Sequence, residues 1–385
     1  MVPEENKYNV LAKNYVHIDF EKIMFPLTLT QYFILCPKYY MCQNYISPNS
    51  VFTNVILCCL TVIIFVCFLY FSFQFLIGIQ MFLNDFLGFL YYLENSIYAL
   101  GYLLNMVFII VKSRVNVELI IRIQSIINNL QINNNNKQRI ELGNWIFCFL
   151  LFLFYFINAY IQMFYVFTRY VIIVLSIFVH TPWDFNILYA ARILYLLRKQ
   201  TENWIIHLNY MVNASVREND TLGNYHWQSI LKGYLSITDA YYTCEKITDI
   251  PVIYHVILTF VQLIVNIQTI IQVITKNFQI KGVSVVLILC VMWAFKHGIL
   301  LAVLSLECEK LFMCLKNCQV ACLTTAYKNI PVSGHRVCKF LRRESRKQPQ
   351  PMTAKGFFKV NAALLLHLFS IVATYTVVLL QFNFL

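Results

Sequence analysis

The sequence predicts an all-α, polytopic membrane protein with seven transmembrane helices, a cytosolic N-terminus and an extracellular C-terminus. Three observations lead there. Several apolar runs reach or exceed the roughly 18–20 residues that cross a bilayer. Hydrophobic residues make up 59% of the 385 and charged residues only 12%, with a mean hydropathy of +0.62. That is more apolar surface than a soluble domain of this size needs. Finally, Lys and Arg are divided very unequally between alternate connections.

Residues 1–50 form a cytosolic N-terminal segment. Its first 20 residues mix Glu4, Glu5, Lys7, Lys13 and Asp19 with no apolar core. No cleavable leader is expected, so the first span acts as its own insertion signal. A six-helix bundle is expected over 51–303, with spans at about 51–80, 86–111, 144–167, 170–191, 252–275 and 282–303. Residues 144–180 are apolar for longer than one span requires. A break at Thr168-Arg169 leaves Pro182 as a kink in the fourth span; the alternative is one long third span and a fourth beginning near Trp183. Both give seven. Connections 112–143 and 192–251 are expected to be cytosolic and helical; the first continues span two through Leu119, Ile120, Ile123, Ile126, Ile127 and Leu130. The run Asn133–Asn136 reads as a turn. Segment 304–356 reads as a cytosolic helix of an anchor region, and 357–385 as the last transmembrane helix.

Charge sets the orientation. Segments 1–50, 112–143, 192–251 and 304–356 hold 4, 5, 6 and 10 Lys plus Arg, a total of 25. The alternate connections 81–85, 168–169, 276–281 and 383–385 hold 0, 1, 2 and 0, a total of 3. By the positive-inside rule the rich side is cytosolic. The same distribution explains the net charge of +12 as a topology signal, with no nucleic-acid partner expected. It also argues against a G-protein-coupled receptor, whose orientation is opposite. Thr168-Arg169-Tyr170 lacks the acidic residue of that family's Asp-Arg-Tyr motif, and the last span holds no Asn-Pro-x-x-Tyr.

The short outer connections leave no room for an extracellular binding domain, so a ligand must enter the outer half of the bundle. Glu94 is a charge within a span, a functional candidate by default or half of an internal ion pair. Tyr98 follows four residues later on the same face, and Tyr165 and Trp293 are further candidates to line an outer cavity. The chain has 13 cysteines, almost none of them placed outside, so no disulfide framework is expected. Cys314, Cys318 and Cys322 share one helix face and read as packing, with palmitoylation or redox sensing as alternatives. No metal site, cofactor or catalytic constellation is expected, since no phosphate-binding glycine loop, His-Glu-x-x-His or Gly-x-Ser-x-Gly occurs. Two sequons, at Asn213 and Asn219, lie in a connection placed in the cytosol.

The last span carries the sharpest pattern. His367, Ser370, Thr374 and Gln381 stand at i, i+3, i+7 and i+14, within an arc of roughly 60°. Such a stripe is costly against lipid and should face protein or water. Periodicity alone leaves two readings open: hydrogen bonds to neighbouring helices of the same subunit, or a pore-lining face repeated about a symmetry axis. Thr376 points the opposite way and Tyr375 flanks the stripe.

Thr374-Tyr375, five largely apolar residues, then Gln381-Phe382 resembles the Thr-Tyr-(five hydrophobics)-Gln-Phe signature of the insect gustatory receptor family. Upstream, Val337-Cys338-Lys339-Phe340-Leu341 and Ala354-Lys355-Gly356-Phe357-Phe358-Lys359-Val360-Asn361 are similar to that family's approach to its last helix. Lys38-Tyr39 and Ile46-Ser47-Pro48-Asn49-Ser50 resemble its moth and butterfly members. Thr376 departs from the pattern, which has an apolar residue there. The resemblance implies a homotetrameric, ligand-gated, non-selective cation channel, alone or with related subunits, in the plasma membrane. Each last helix would line the pore, with Gln381 and Val378 at the gate, Thr374 deeper and Phe382 closing the motif. The partners implied are a small-molecule tastant, with bitter plant compounds favoured, permeating cations and the lipid bilayer. A metabotropic seven-helix receptor and a transporter are the competing readings. The latter would usually show repeated halves, which this sequence lacks.

Overall fold

The computed structural model describes residues 14–79, 85–129, 134–165, 170–217, 224–275, 283–325, 332–345 and 350–384. Its elements run α1 (Ile18–Phe33), β1 (Tyr40–Cys42), β2 (Tyr45–Ser47), α2 (Val51–Ile79), α3 (Asp85–Asn129), α4 (Asn134–Tyr165), α5 (Tyr170–Arg217), α6 (Asn224–Thr275), α7 (Val283–Thr325), α8 (Val332–Ser345), β3 (Thr353–Ala354), β4 (Phe358–Lys359) and α9 (Ala363–Phe384). Seven of these, α2 to α7 and α9, are long and apolar enough to cross a membrane. Helices are what a bilayer permits, because every backbone N–H and C=O must be satisfied inside the segment.

Four helices are far longer than a bilayer requires. α3, α5, α6 and α7 hold 45, 48, 52 and 43 residues. At about 1.5 Å per residue they extend roughly 65–78 Å, twice the apolar thickness of a membrane. α5 is the central helix and packs against α2, α3, α4, α6 and α7. Every residue from Val179 to Leu194 on it is buried, although Pro182 lies within this stretch. α9 rests on α6 and α7 at the edge of the bundle.

Beyond the spans the long helices share a second core. Trp204, Leu208, Trp227, Ile230, Ile237 and Tyr241 are almost completely buried there. The indole Nε1 of Trp204 donates to the Ile230 carbonyl at 2.9 Å. The guanidinium of Arg198 meets Glu307 at 2.9 Å and Glu202 at 2.7 Å. Cys314, Cys318 and Cys322 are buried on one face of α7, and Cys338 is buried on α8. Burial pushes the Cys338 thiol up to about 11, which makes it poorly reactive.

The structure departs from the sequence reading in several places. Residues 1–50 contain α1, whose buried face is Phe20, Ile23, Met24 and Leu27, packed on α4. The described residues also form two small hairpins, β1–β2 and β3–β4. Gln43 and Asn44 turn the first with φ of +50° and +63°, and Lys355 and Gly356 turn the second at +48° and +78°. The second hairpin moves the start of the last helix from 357 to Ala363, so Lys359 is a strand residue outside it. Asn134, Asn135 and Asn136 form the first turn of α4 instead of a loop, while Asn133 lies outside the described residues. Segment 304–356 is α7 to Thr325, then the separate α8 and the hairpin. In the middle, α4 ends at Tyr165 and α5 begins at Tyr170.

Outside the spans, Lys38 is buried, donates from Nζ to Asn186 Oδ1 at 2.7 Å and sits 4.8 Å over the Tyr189 ring. Burial pulls its amine down to about 8. Within the bundle, Gly101 on α3 allows close packing, since a Cβ there would lie 2.7 Å from Trp183 Nε1 and closer still to Tyr254 Oη. Gly101→Ala should therefore destabilise the chain by about 1–3 kcal/mol through overpacking. Thermal unfolding of the purified protein in detergent checks this.

Candidate functional site

The centre of the bundle is polar. α6 sets a buried stripe of His255, Thr259, Gln262, Asn266 and Thr269 at i, i+4, i+7, i+11 and i+14. α7 brings Trp293, Lys296 and His297, α5 brings His180 and Asp184, α4 brings Tyr155 and Asn158, and α3 brings Tyr98. Helical spacing aims each group inward, and only other polar groups can meet it there.

Asp184 is the hub. Its Oδ2 accepts from Lys296 Nζ at 2.6 Å and from Tyr155 Oη at 2.6 Å. Its Oδ1 faces the Nδ1 atoms of His255 and His297, each at 3.9 Å. Tyr98 Oη stands 3.2 Å from both His297 Nε2 and Gln262 Oε1, to the second of which it donates. Aromatic rings close the cluster. Tyr98 lies against His180 with centroids 3.9 Å apart, and Trp293 is 5.4 Å from His180. The Lys296 ammonium sits 3.9 Å over the Trp293 ring, a favourable cation–π position. Trp293 Nε1 donates to Asn158 Oδ1 at 3.2 Å.

Of the residues singled out from sequence, Tyr98 and Trp293 meet in this cluster through His180. Glu94 is half-buried one turn along α3 from Tyr98, within electrostatic reach of Lys296. Tyr165 is the last residue of α4, and its side chain lies outside the described residues. The sequence analysis assigned no role to Asp184, His180, His255, His297 or Lys296. No motif spacing links them, because they come from three helices. The signal available was their ionisable character inside apolar spans.

α9 presents a different surface. Leu364, Leu368 and Val372 are buried against the bundle, and Tyr375 makes an edge contact with Phe260 at 5.5 Å. His367, Ser370, Thr374 and Gln381 are exposed on the single chain, as is Val378. The Thr374 hydroxyl donates to Ser370 O of its own helix at 3.0 Å. The Phe382 side chain lies outside the described residues.

The ion pair carries a prediction. Removing one partner of a buried pair costs about 3–5 kcal/mol, because the other charge is left uncompensated. Lys296→Met should destabilise the chain by that amount. Combining it with Asp184→Asn should recover part of the loss, a coupling that thermal unfolding of the single and double variants measures.

Comparison with known proteins fits this architecture. The family model described as 7tm chemosensory receptor matches residues 32–385. The solved structure of the insect olfactory receptor OR5 from Machilis hrabei is similar, with a TM-score of 0.63 at 14% identity, over 94% of this chain and 97% of that one. The same receptor in complex with eugenol gives a TM-score of 0.64 at 14% identity, over 94% and 98%. No curated relative matches the chain. With the family model spanning all but the first residues, the chain belongs to the seven-transmembrane chemosensory receptor family.

Proposed function

We propose that this receptor is a taste receptor and is itself a ligand-gated, non-selective cation channel. Four copies assemble with α9 of each lining a central pore. The observation that carries this reading is the face of α9 that the bundle leaves uncovered. Its apolar residues Leu364, Leu368 and Val372 are buried, whereas His367, Ser370, Thr374 and Gln381 point away from the protomer. Hydroxyl and amide groups gain nothing from lipid, so a water-filled axis shared by several copies suits them best. Gln381 and Val378 then form the narrow outer end, with Thr374 deeper. The stripe holds no carboxylate, which suits weak ion selectivity.

Taste is favoured over smell by the Thr374-Tyr375 and Gln381-Phe382 signature. The basic connections favour a cytosolic N-terminus and an outside C-terminus, and a channel opened by external tastants belongs in the plasma membrane. The ligand enters beside Tyr98 and Trp293, with Glu94 one turn away. OR5 has been solved with eugenol, and the rings of Tyr98, His180 and Trp293 offer stacking partners for an aromatic plant compound. Related receptors are candidate partner subunits.

Cells expressing this chain alone should pass cation current when a panel of bitter plant compounds is applied, with G-protein signalling blocked. Gln381→Ala should change relative cation permeability or shift half-activation by about fivefold, equivalent to about 1 kcal/mol in the gating equilibrium. Currents unaltered by several substitutions at Gln381 would remove it from the pore. An N-terminal epitope should stay hidden on intact cells and become accessible after permeabilisation. Glycan at Asn213 or Asn219 would reverse the orientation.

A further inference from the structure

We propose that Asp184, His255 and His297 form a binding site for a Zn2+-class transition-metal ion. The three residues come from α5, α6 and α7, and each offers a ligand atom within 4.8 Å of the others. All three are at most 1% exposed. Both ring nitrogens of His255 and Nδ1 of His297 are buried without a hydrogen-bond partner. A buried imidazole nitrogen left unpaired is costly. A metal ion between them satisfies these lone pairs.

The geometry is close to what such an ion needs. Three donors at 2.0–2.2 Å from one ion stand about 3.3–3.8 Å apart in tetrahedral or trigonal arrangements. The Asp184 Oδ1 to His Nδ1 separations are both 3.9 Å. Closing these two takes a few tenths of an ångström at each side chain, and the two imidazole donors lie within 4.8 Å of each other. The surroundings also orient the ligands. His297 Nε2 is paired with Tyr98 Oη, which donates onward to Gln262 Oε1. That chain places the His297 proton on Nε2 and leaves Nδ1 as the donor to metal, the usual arrangement around a ligating histidine. Lys296 and Tyr155 occupy Oδ2 of Asp184, so Oδ1 is the oxygen turned to the site. Two imidazoles and one carboxylate suit Zn2+, Co2+ or Ni2+ better than Mg2+ or Ca2+, which want oxygen alone. An ion there ties α5, α6 and α7 together at the hub of the bundle.

The test uses the full chain, purified in detergent or lipid nanodiscs, with Co2+ as the probe. A bound ion gives an intense visible absorption that saturates and is abolished by excess Zn2+, and Zn2+ raises the midpoint of thermal unfolding. His255→Gln and His297→Gln should each weaken Co2+ binding at least tenfold. Tyr98→Phe, which removes only the orienting hydroxyl, should weaken it about tenfold. His335→Gln, exposed on α8, should not change it. A Co2+ spectrum that stays that of the hydrated ion overturns the proposal without any variant having to fold. So does unchanged affinity in both histidine variants, and so does a midpoint that responds to pH but not to Zn2+. None of these readouts depends on channel current, so they stand apart from the pore assignment.

Discussion

A carboxylate in the middle of a membrane must be answered, and Asp184 is answered from three sides. Lys296 and Tyr155 fill one oxygen at 2.6 Å each, and two histidines face the other. These contacts fix α4, α5, α6 and α7 relative to one another. Tyr98 brings in α3 through His297 and Gln262. Apolar packing alone could not do this so selectively. Lipid tails are as apolar as leucine, so one greasy helix face has little preference among partners. A buried charge has one acceptable arrangement, and the others leave it unpaired.

The same contrast decides what could be read from the sequence. The seven spanning helices were legible because their signal is local: a run of apolar residues long enough for a bilayer. The break read at Thr168-Arg169, the polar interruption in that run, lies outside the described residues, between α4 described to Tyr165 and α5 described from Tyr170. The two hairpins were not: Asn44 and Gly356 suit positive φ, but each turn also needs it at Gln43 or Lys355, residue types that rarely adopt it, and the strands are only two or three residues long. The asparagine run misled for a related reason. Asparagine favours turns, yet Asn134 to Asn136 serve as the opening turn of α4. The cluster itself was half legible. Tyr98 and Trp293 stood out as aromatics within spans, whereas Asp184, beside Pro182 and Trp183, belongs to no motif and had no role in the sequence reading. Only tertiary structure shows that this stretch is the longest fully buried run among the described residues.

The long helices serve two solvents. Along one length they meet lipid and bury a polar centre; along the rest they bury tryptophan and leucine under a surface held by Arg198, Glu202 and Glu307. The overall fold recurs in an insect olfactory receptor only 14% identical to this chain. Pattern, length and the placement of a few charges specify such a shape, and most individual side chains are free to vary.

The β3–β4 hairpin gives α9 an unusual mechanical position. It is moored to α6 by Thr353, whose N–H and hydroxyl both donate to Glu245 Oε1, and by Tyr241, which donates to Gln350 O. Glu309 of α7 accepts from the Ala362 N–H at the foot of α9. The buried residues of α9, Leu364, Leu368 and Val372, all lie in its first half. With 22 residues, the helix is a lever roughly 33 Å long, pinned near one end. A tilt of about 5° at the foot displaces the far end by roughly 3 Å, the diameter of a water molecule. Small movements of α6 and α7 are thus multiplied by length alone before they reach Gln381.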